Sequence, residues 1–338
     1  MALIVWFKNK GVLLKSLSRN EQVLILICLL INVFYLFTVD VKTNNEAEKY
    51  INASNDFLAN GHFSLKYLFY GFYVLLISLL KSSYLIIGFQ LILSWISTIH
   101  LFKIAQKIKA NPYVVVGLFV SSYPIQVWNF ALYTESVFVS ALIILFSLIL
   151  HQKSRLLILS FALCLVFTRP TFIVFIPAFL LLYKKYFKVS YWLYIPVIIL
   201  IPLALISRLA FYAEYFSFFV SDQIICEVML EGEISYFELI TEKLRRFFLM
   251  NRNHYSFNHN LYLLATIVVT YFFAVIGLIK EKFETRIVFL GLLVTMTVFI
   301  GITCVNWNNR FIAPLLPFIF LLSGRGWQIL FNQRKAVN

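Results

Sequence analysis

The sequence predicts an all-α fold, a polytopic transmembrane helical bundle of about ten spans, on three observations. The 338-residue chain is 61% hydrophobic and only 13% charged, with a mean hydropathy of +0.86, a balance that excludes an ordinary soluble domain. Apolar runs follow one another along its length, and a bilayer core of about 30 Å needs roughly 20 apolar residues per helix. The basic residues sit in small clusters beside those runs. The net charge of +14 therefore reads as topology, and nucleic acid is excluded as a partner. Backbone polar groups find no water inside a bilayer, so the spans are helices.

The elements follow in order. Residues 1–20 form a basic cytoplasmic arm with Lys8, Lys10, Lys15 and Arg19, lying on the membrane surface. The apolar run after it reaches Thr38-Val39-Asp40 without a small-residue cleavage site, which reads as an uncleaved helix. Spans are expected at 21–39, 83–103, 111–129, 135–151, 155–168, 170–184, 190–210, 260–279, 287–305 and 311–331. The segment from Leu65 to Lys81 decides the parity. As a helix lying on or dipping into the outer face, it leaves 18 of the 29 basic residues inside, with both termini inside. The same topology puts 12 of the 15 acids outside, although acids did not enter the assignment.

Two outer loops remain, residues 40–82 with surface helices and residues 211–259. In the first, a helix is expected from about Asn45 to Ala59 with Asn44 or Asn45 as N-cap. In the second, Ile234 to Met250 has helical periodicity. Neither loop is large enough for its own core, and no repeat or linker divides the chain, so residues 1–338 make one integral membrane domain. Cys28, Cys164, Cys226 and Cys304 have neither disulfide-framework nor metal-type spacing, and the five histidines show no metal spacing. A nucleotide fingerprint and a Gly-rich phosphate loop are also missing from the sequence.

Three constellations carry chemistry. In the first outer loop Glu46, Lys49, Tyr50 and Ala53 share one helix face. A carboxylate there suits a general base or an oxygen ligand for a divalent cation; a solvated Glu/Lys pair has the same spacing. Glu135, in Tyr133-Thr134-Glu135-Ser136, is a charge between two apolar spans, which is costly without a task or a partner. As a first-turn acid it would gain roughly 0.3 to 1 kcal/mol from the helix dipole. Arg169, in Thr168-Arg169-Pro170-Thr171, and Arg310, in Asn309-Arg310-Phe311, lie at the outer face in this topology. Their forks match phosphate oxygens; snorkelling or structural pairing with Glu135 explains them equally well. Arg208 is a further basic candidate, and Arg245, Arg246 and Arg252 fit an interfacial helix.

In this order, an acid-plus-Tyr helix, Thr-Glu-Ser before a helix, Thr-Arg-Pro between short spans and Arg-Phe-x-x-Pro-x-x-Pro resembles the GT-C superfamily over roughly residues 20–325. These are multi-pass glycosyltransferases using polyprenyl-phosphate sugars, and the chain looks most like the protein O-mannosyltransferase and aminoarabinose transferase branch. The resemblance implies Glu46 as catalytic acid of the first loop. The usual Asp-Glu is Asn45-Glu46 here, which leaves Glu48 and Asp40 as substitutes. It implies Glu135 as the second-loop acid that organises the site or a metal, with Arg169 and Arg310, and Tyr50 beside them, near the lipid phosphate. A divalent cation, Mg or Mn, held by Glu46 and Glu135 is the cofactor so implied.

The expectation is an inverting hexosyl transfer from a polyprenyl-phosphate sugar donor to a glycan, lipid or protein hydroxyl. The active site would be extracytoplasmic, and the bacterial inner membrane is the expected setting, with membrane lipids as neighbours. The alternative is a flippase or polymerase of polyprenyl-diphosphate-linked oligosaccharides, with Arg169, Arg208 and Arg310 facing a central cavity.

Overall fold

A computed structural model describes residues 19–38, 45–62, 65–187, 235–250, 256–302 and 312–332. Every element in them is helical. Helix α1 spans Arg19–Thr38, and α2, Asn45–Asn60, lies in the first expected outer loop. A 3-10 turn, Leu65–Tyr70, leads into α3, Gly71–Leu80, and α4 follows at Ser83–Lys107. Next come α5, Pro112–Ser121, the short α6, Tyr123–Gln126, and a 3-10 turn at Val127–Phe130. Helices α7, Thr134–Leu150, and α8, Arg155–Val166, precede a 3-10 turn at Pro170–Phe175 and α9, Ile176–Tyr186. The later helices are α10, Tyr236–Leu249; α11, Phe257–Lys280; α12, Phe283–Ile302; and α13, Leu316–Asn332. The arm up to residue 18, the expected span at 190–210 and most of the 211–259 loop lie outside the described residues.

Among the described residues, two helices are long and apolar enough to cross a bilayer. They are α4 with 25 residues and α11 with 24, roughly 36 to 38 Å at 1.5 Å per residue. At the expected spans 21–39 and 287–305, α1 and α12 are unbroken helices of 20 residues. The remaining described ones are shorter or broken, and proline explains the clearest breaks. The run at 111–129 stops as an α-helix at Ser121: Ser122 is extended, and Pro124 enters the first turn of the short α6, where no N–H is needed. The run at 170–184 opens as a 3-10 turn from Pro170 and becomes α-helical only where Pro177 enters the first turn of α9, a position that needs no N–H.

Helix α7 is the axis of the molecule, since every one of its residues is buried. A helix apolar all round belongs inside a bundle, and α4, α8 and α9 surround this one. Its Phe138 ring meets Phe172 and Phe175 edge-on, and Phe146 meets Phe179 and Phe318.

The second close packing joins α11 to α13 through glycines. A Cβ on Gly326 would lie 1.9 Å from the Phe273 carbonyl oxygen, and one on Gly277 would lie 2.1 Å from that of Leu322. Without a side chain at these two positions, the backbones of α11 and α13 approach closely enough for contact along the crossing. Helix α13 also reaches back to the α4–α5 turn. There Asn111 caps α5, accepting from the Tyr113 and Val114 amides, while its own N–H donates to the Gly324 carbonyl at 3.0 Å. Arg325 Nη1 donates to the Lys109 carbonyl at 2.9 Å, and its Nε lies 3.4 Å from Glu281 Oε2.

Candidate functional site

Glu135 and Arg169 meet where two helix ends face each other. Helix α8 ends because Pro170 cannot continue it and pushes Arg169 towards extended geometry. The closing turn stacks the Thr168 and Arg169 amides on the Leu165 carbonyl, and Thr168 Oγ1 donates to the Cys164 carbonyl at 2.5 Å. The Phe167 carbonyl accepts from the Phe72 amide at 2.9 Å, which fastens α3 to this end, and the Phe69 ring stacks on Phe167. Arg169 then leaves the turn towards the first turn of α7.

Glu135 occupies that first turn with its residue fully buried. Its Oε1 lies 2.7 Å from Arg169 Nη1, and Thr134 Oγ1 donates to Oε2 at 3.4 Å. Arg169 is 6% exposed, so it lies inside the bundle and not at an open rim. Among the sequence readings for Glu135, first-turn acid and partner of Arg169 hold at once.

The loop that delivers Glu135 is held by side chains that sequence reasoning passed over. Gln90, fully buried in α4, shares its amide hydrogens among the Trp128, Asn129 and Ala131 carbonyls at 3.3, 3.2 and 3.0 Å. Its Oε1 accepts from the Tyr73 hydroxyl at 3.0 Å. Asn129 accepts from Ser136 Oγ at 2.5 Å and donates to Ser94 Oγ at 3.3 Å and Gln126 Oε1 at 2.9 Å. Gln126 in turn donates to the Phe119 carbonyl. A buried amide left unmade would cost about 1–3 kcal/mol per group, so this network fixes the loop. The overlooked signal was periodic: Gln90, Ser94, Ser97 and Thr98 line one face of the apolar middle of this helix.

Helix α2 reaches the site through Tyr50. Ala47, Tyr50, Ala53 and Ser54 are its buried stripe, and α2 packs on α3. The Tyr50 ring meets Tyr73 edge-on at 5.4 Å and lies tilted against Tyr70 at 5.5 Å. Through the Tyr73 hydroxyl and Gln90, Tyr50 is joined to the loop that delivers Glu135. Glu46 lies in the first turn of α2, and its side chain is outside the described residues, as are Arg310, Arg208 and Asp40. Glu48 is exposed on α2.

Arg245 and Arg246 belong to a different setting. Ser235 and Glu238 form a capping box at the start of α10. Glu242 accepts from Arg245 Nε at 2.7 Å and from Arg246 Nε at 2.6 Å, so both arginines serve the helix surface.

Of the two acids expected to hold a divalent cation, Glu135 is described and the Glu46 side chain is not. Among the described residues no group of three or more His, Cys, Asp or Glu side chains converges, and Glu135 already faces a guanidinium that would repel a second cation. Comparisons with protein-family models, curated proteins and solved structures found no match.

Proposed function

We propose that this chain is a multi-pass membrane glycosyltransferase of the GT-C type. It moves a sugar from a polyprenyl-phosphate donor to an extracytoplasmic glycan, lipid or protein hydroxyl, with inversion, in a bacterial inner membrane. The observation that carries the reading is the buried Glu135–Arg169 pair at the facing ends of α7 and α8, with the tyrosines of α2 and α3 joined to its loop through Gln90. Ionised groups inside an apolar bundle mark functional sites, and such a pair is held in place here by a dedicated polar network.

In this reaction the acceptor oxygen attacks the anomeric carbon while Glu46 takes its proton, and the bond from that carbon to the phosphate oxygen breaks. The electron pair leaves with the polyprenyl phosphate. Arg169 and Arg310 stabilise the charge that develops there, and Glu135 orients Arg169. No step is assigned to a metal ion.

The test is sugar transfer in membranes supplied with a polyprenyl-phosphate sugar. Glu46→Gln and Glu135→Gln should each lower kcat by about 100-fold or more. Full transfer in both variants overturns the assignment. Donor that changes only its sidedness, with no sugar released from the lipid, identifies the flippase instead.

A further inference from the structure

An apolar cavity of about 230 Å³ lies between α11, α12 and α13. Val275 and Leu278 of α11 form one wall, Leu290 and Leu293 of α12 the other, and Phe318 and Leu322 of α13 the floor. At one end the Tyr271 hydroxyl donates to the Phe248 carbonyl at 2.9 Å, so the one polar side chain on the described lining is already satisfied. An apolar cavity of about 150 Å³ stays dry and takes an apolar guest. This one is larger and offers water no free polar side chain. It opens sideways: Val275 is 53% and Leu290 38% exposed, on the same helix faces as the exposed Phe272 and Ile279 of α11 and Ile287 and Val294 of α12.

The two ends of the cavity differ in charge. On α11 its lining runs from Tyr271 to Leu278, about 10 Å at 1.5 Å per residue, within the half of the helix that ends at Lys280. Lys280 and Lys282 follow Leu278 within four residues and are exposed, and Arg286 precedes Leu290 by one turn of α12. Arg286 closes α11, its Nη2 donating to the Ile279 and Glu281 carbonyls. The bond from Arg325 to the Lys109 carbonyl brings the α4–α5 turn, with Lys107 and Lys109, to the same end. The acids there are Glu281, which Arg325 Nε approaches at 3.4 Å, and Glu284, so cations are in excess. A hydrocarbon slot that ends beside a cationic turn is complementary to a phospholipid with a net negative head group. We propose that the α11–α12 groove binds an anionic phospholipid, with one acyl chain between Val275 and Leu290 and the phosphate at Lys280 and Lys282. In the expected topology this end is cytoplasmic, and the lipid belongs to the inner leaflet. The proposal rests on α11 crossing a bilayer and not on sugar transfer.

The test is thermal melting of the full-length protein, purified in a non-ionic detergent and stripped of lipid, with added dioleoyl phosphatidylglycerol. The Tm should rise by several degrees at saturating lipid, and much less with dioleoyl phosphatidylcholine, which carries the same chains on a neutral head group. Glycerophosphoglycerol, the head group without chains, should leave it unchanged. Lys280→Gln together with Lys282→Gln should weaken the affinity for phosphatidylglycerol about 30-fold. Val275→Trp blocks the mouth of the groove from an exposed position; it should keep the unliganded Tm and lose most of the rise. Should that variant melt early by itself, Leu290→Trp makes the same block from the opposite wall. An equal rise with both lipids overturns the proposal, as does an unchanged rise in the lysine variant or in both tryptophan variants. So does a rise with glycerophosphoglycerol equal to that with the lipid. A Tm that neither lipid moves means that the chain itself covers the groove, and it too overturns the proposal. None of these measurements uses sugar transfer, so the glycosyltransferase reading stands or falls separately.

Discussion

At the residue scale, the Glu135–Arg169 pair separates stability from function. Removing one member of a buried pair strands the other charge at a cost of about 3–5 kcal/mol, whereas replacing both by apolar residues of similar volume is often neutral or stabilising. Glu135→Leu or Arg169→Met alone should therefore lower unfolding stability by about that amount, and the double variant should recover it. Activity should not recover, because the double variant folds without the charges. Reversible unfolding in mixed micelles together with the transfer assay checks both halves. Glu135 was legible in the sequence, since one acid between two apolar runs is conspicuous. Gln90 was not, because an uncharged amide disappears in hydropathy averaged over a span, and its partners are about 40 residues away in the sequence.

At the element scale, glycine substitutions separate tight helix crossings from open faces. Gly326→Ala and Gly277→Ala each place a methyl group against a backbone carbonyl, and neither side can rotate away. Each should cost at least about 1–3 kcal/mol, the usual range for overpacking. Gly117→Ala in α5 and Gly291→Ala in α12 meet nothing within 4 Å, so thermal melting should show them neutral or stabilised by up to about 1 kcal/mol. Such a crossing joins two helices well separated along the chain, so neither glycine announces it alone.

Helix α10 supplies a pH dependence of its own. The hydrogen bond from Arg245, with Arg246 beside it, lowers the Glu242 carboxyl from 4.5 to about 2. A depressed carboxyl stabilises the folded form above its unfolded pKa and loses that contribution as the pH falls through the folded value. Protection of α10 from pepsin should thus decline between pH 4.5 and about 2. Glu242→Gln should flatten part of that decline. The remainder belongs to Glu238, which the Ser235 backbone N–H holds below its ordinary value.

At the scale of the whole molecule, the expected positions of most spans coincide with observed helices, because spanning length and charge flanks act locally. Their continuity was less legible: proline breaks at Pro124 and Pro170 depend on how the freed backbone groups are re-bonded by neighbours. The expected sidedness has a direct check. With native cysteines replaced by alanine, Asp56→Cys on α2 should react with an impermeant maleimide in intact cells. Lys107→Cys at the end of α4 should react only after the membrane is opened. The reverse pattern would invert the topology. The contact of α13 with the Asn111 turn also bears on the order of assembly. Gly324 follows Asn111 by about 200 residues, so the turn between α4 and α5 gains this partner only once α13 has been made. A chain halted before α13 therefore carries an early turn that it cannot finish.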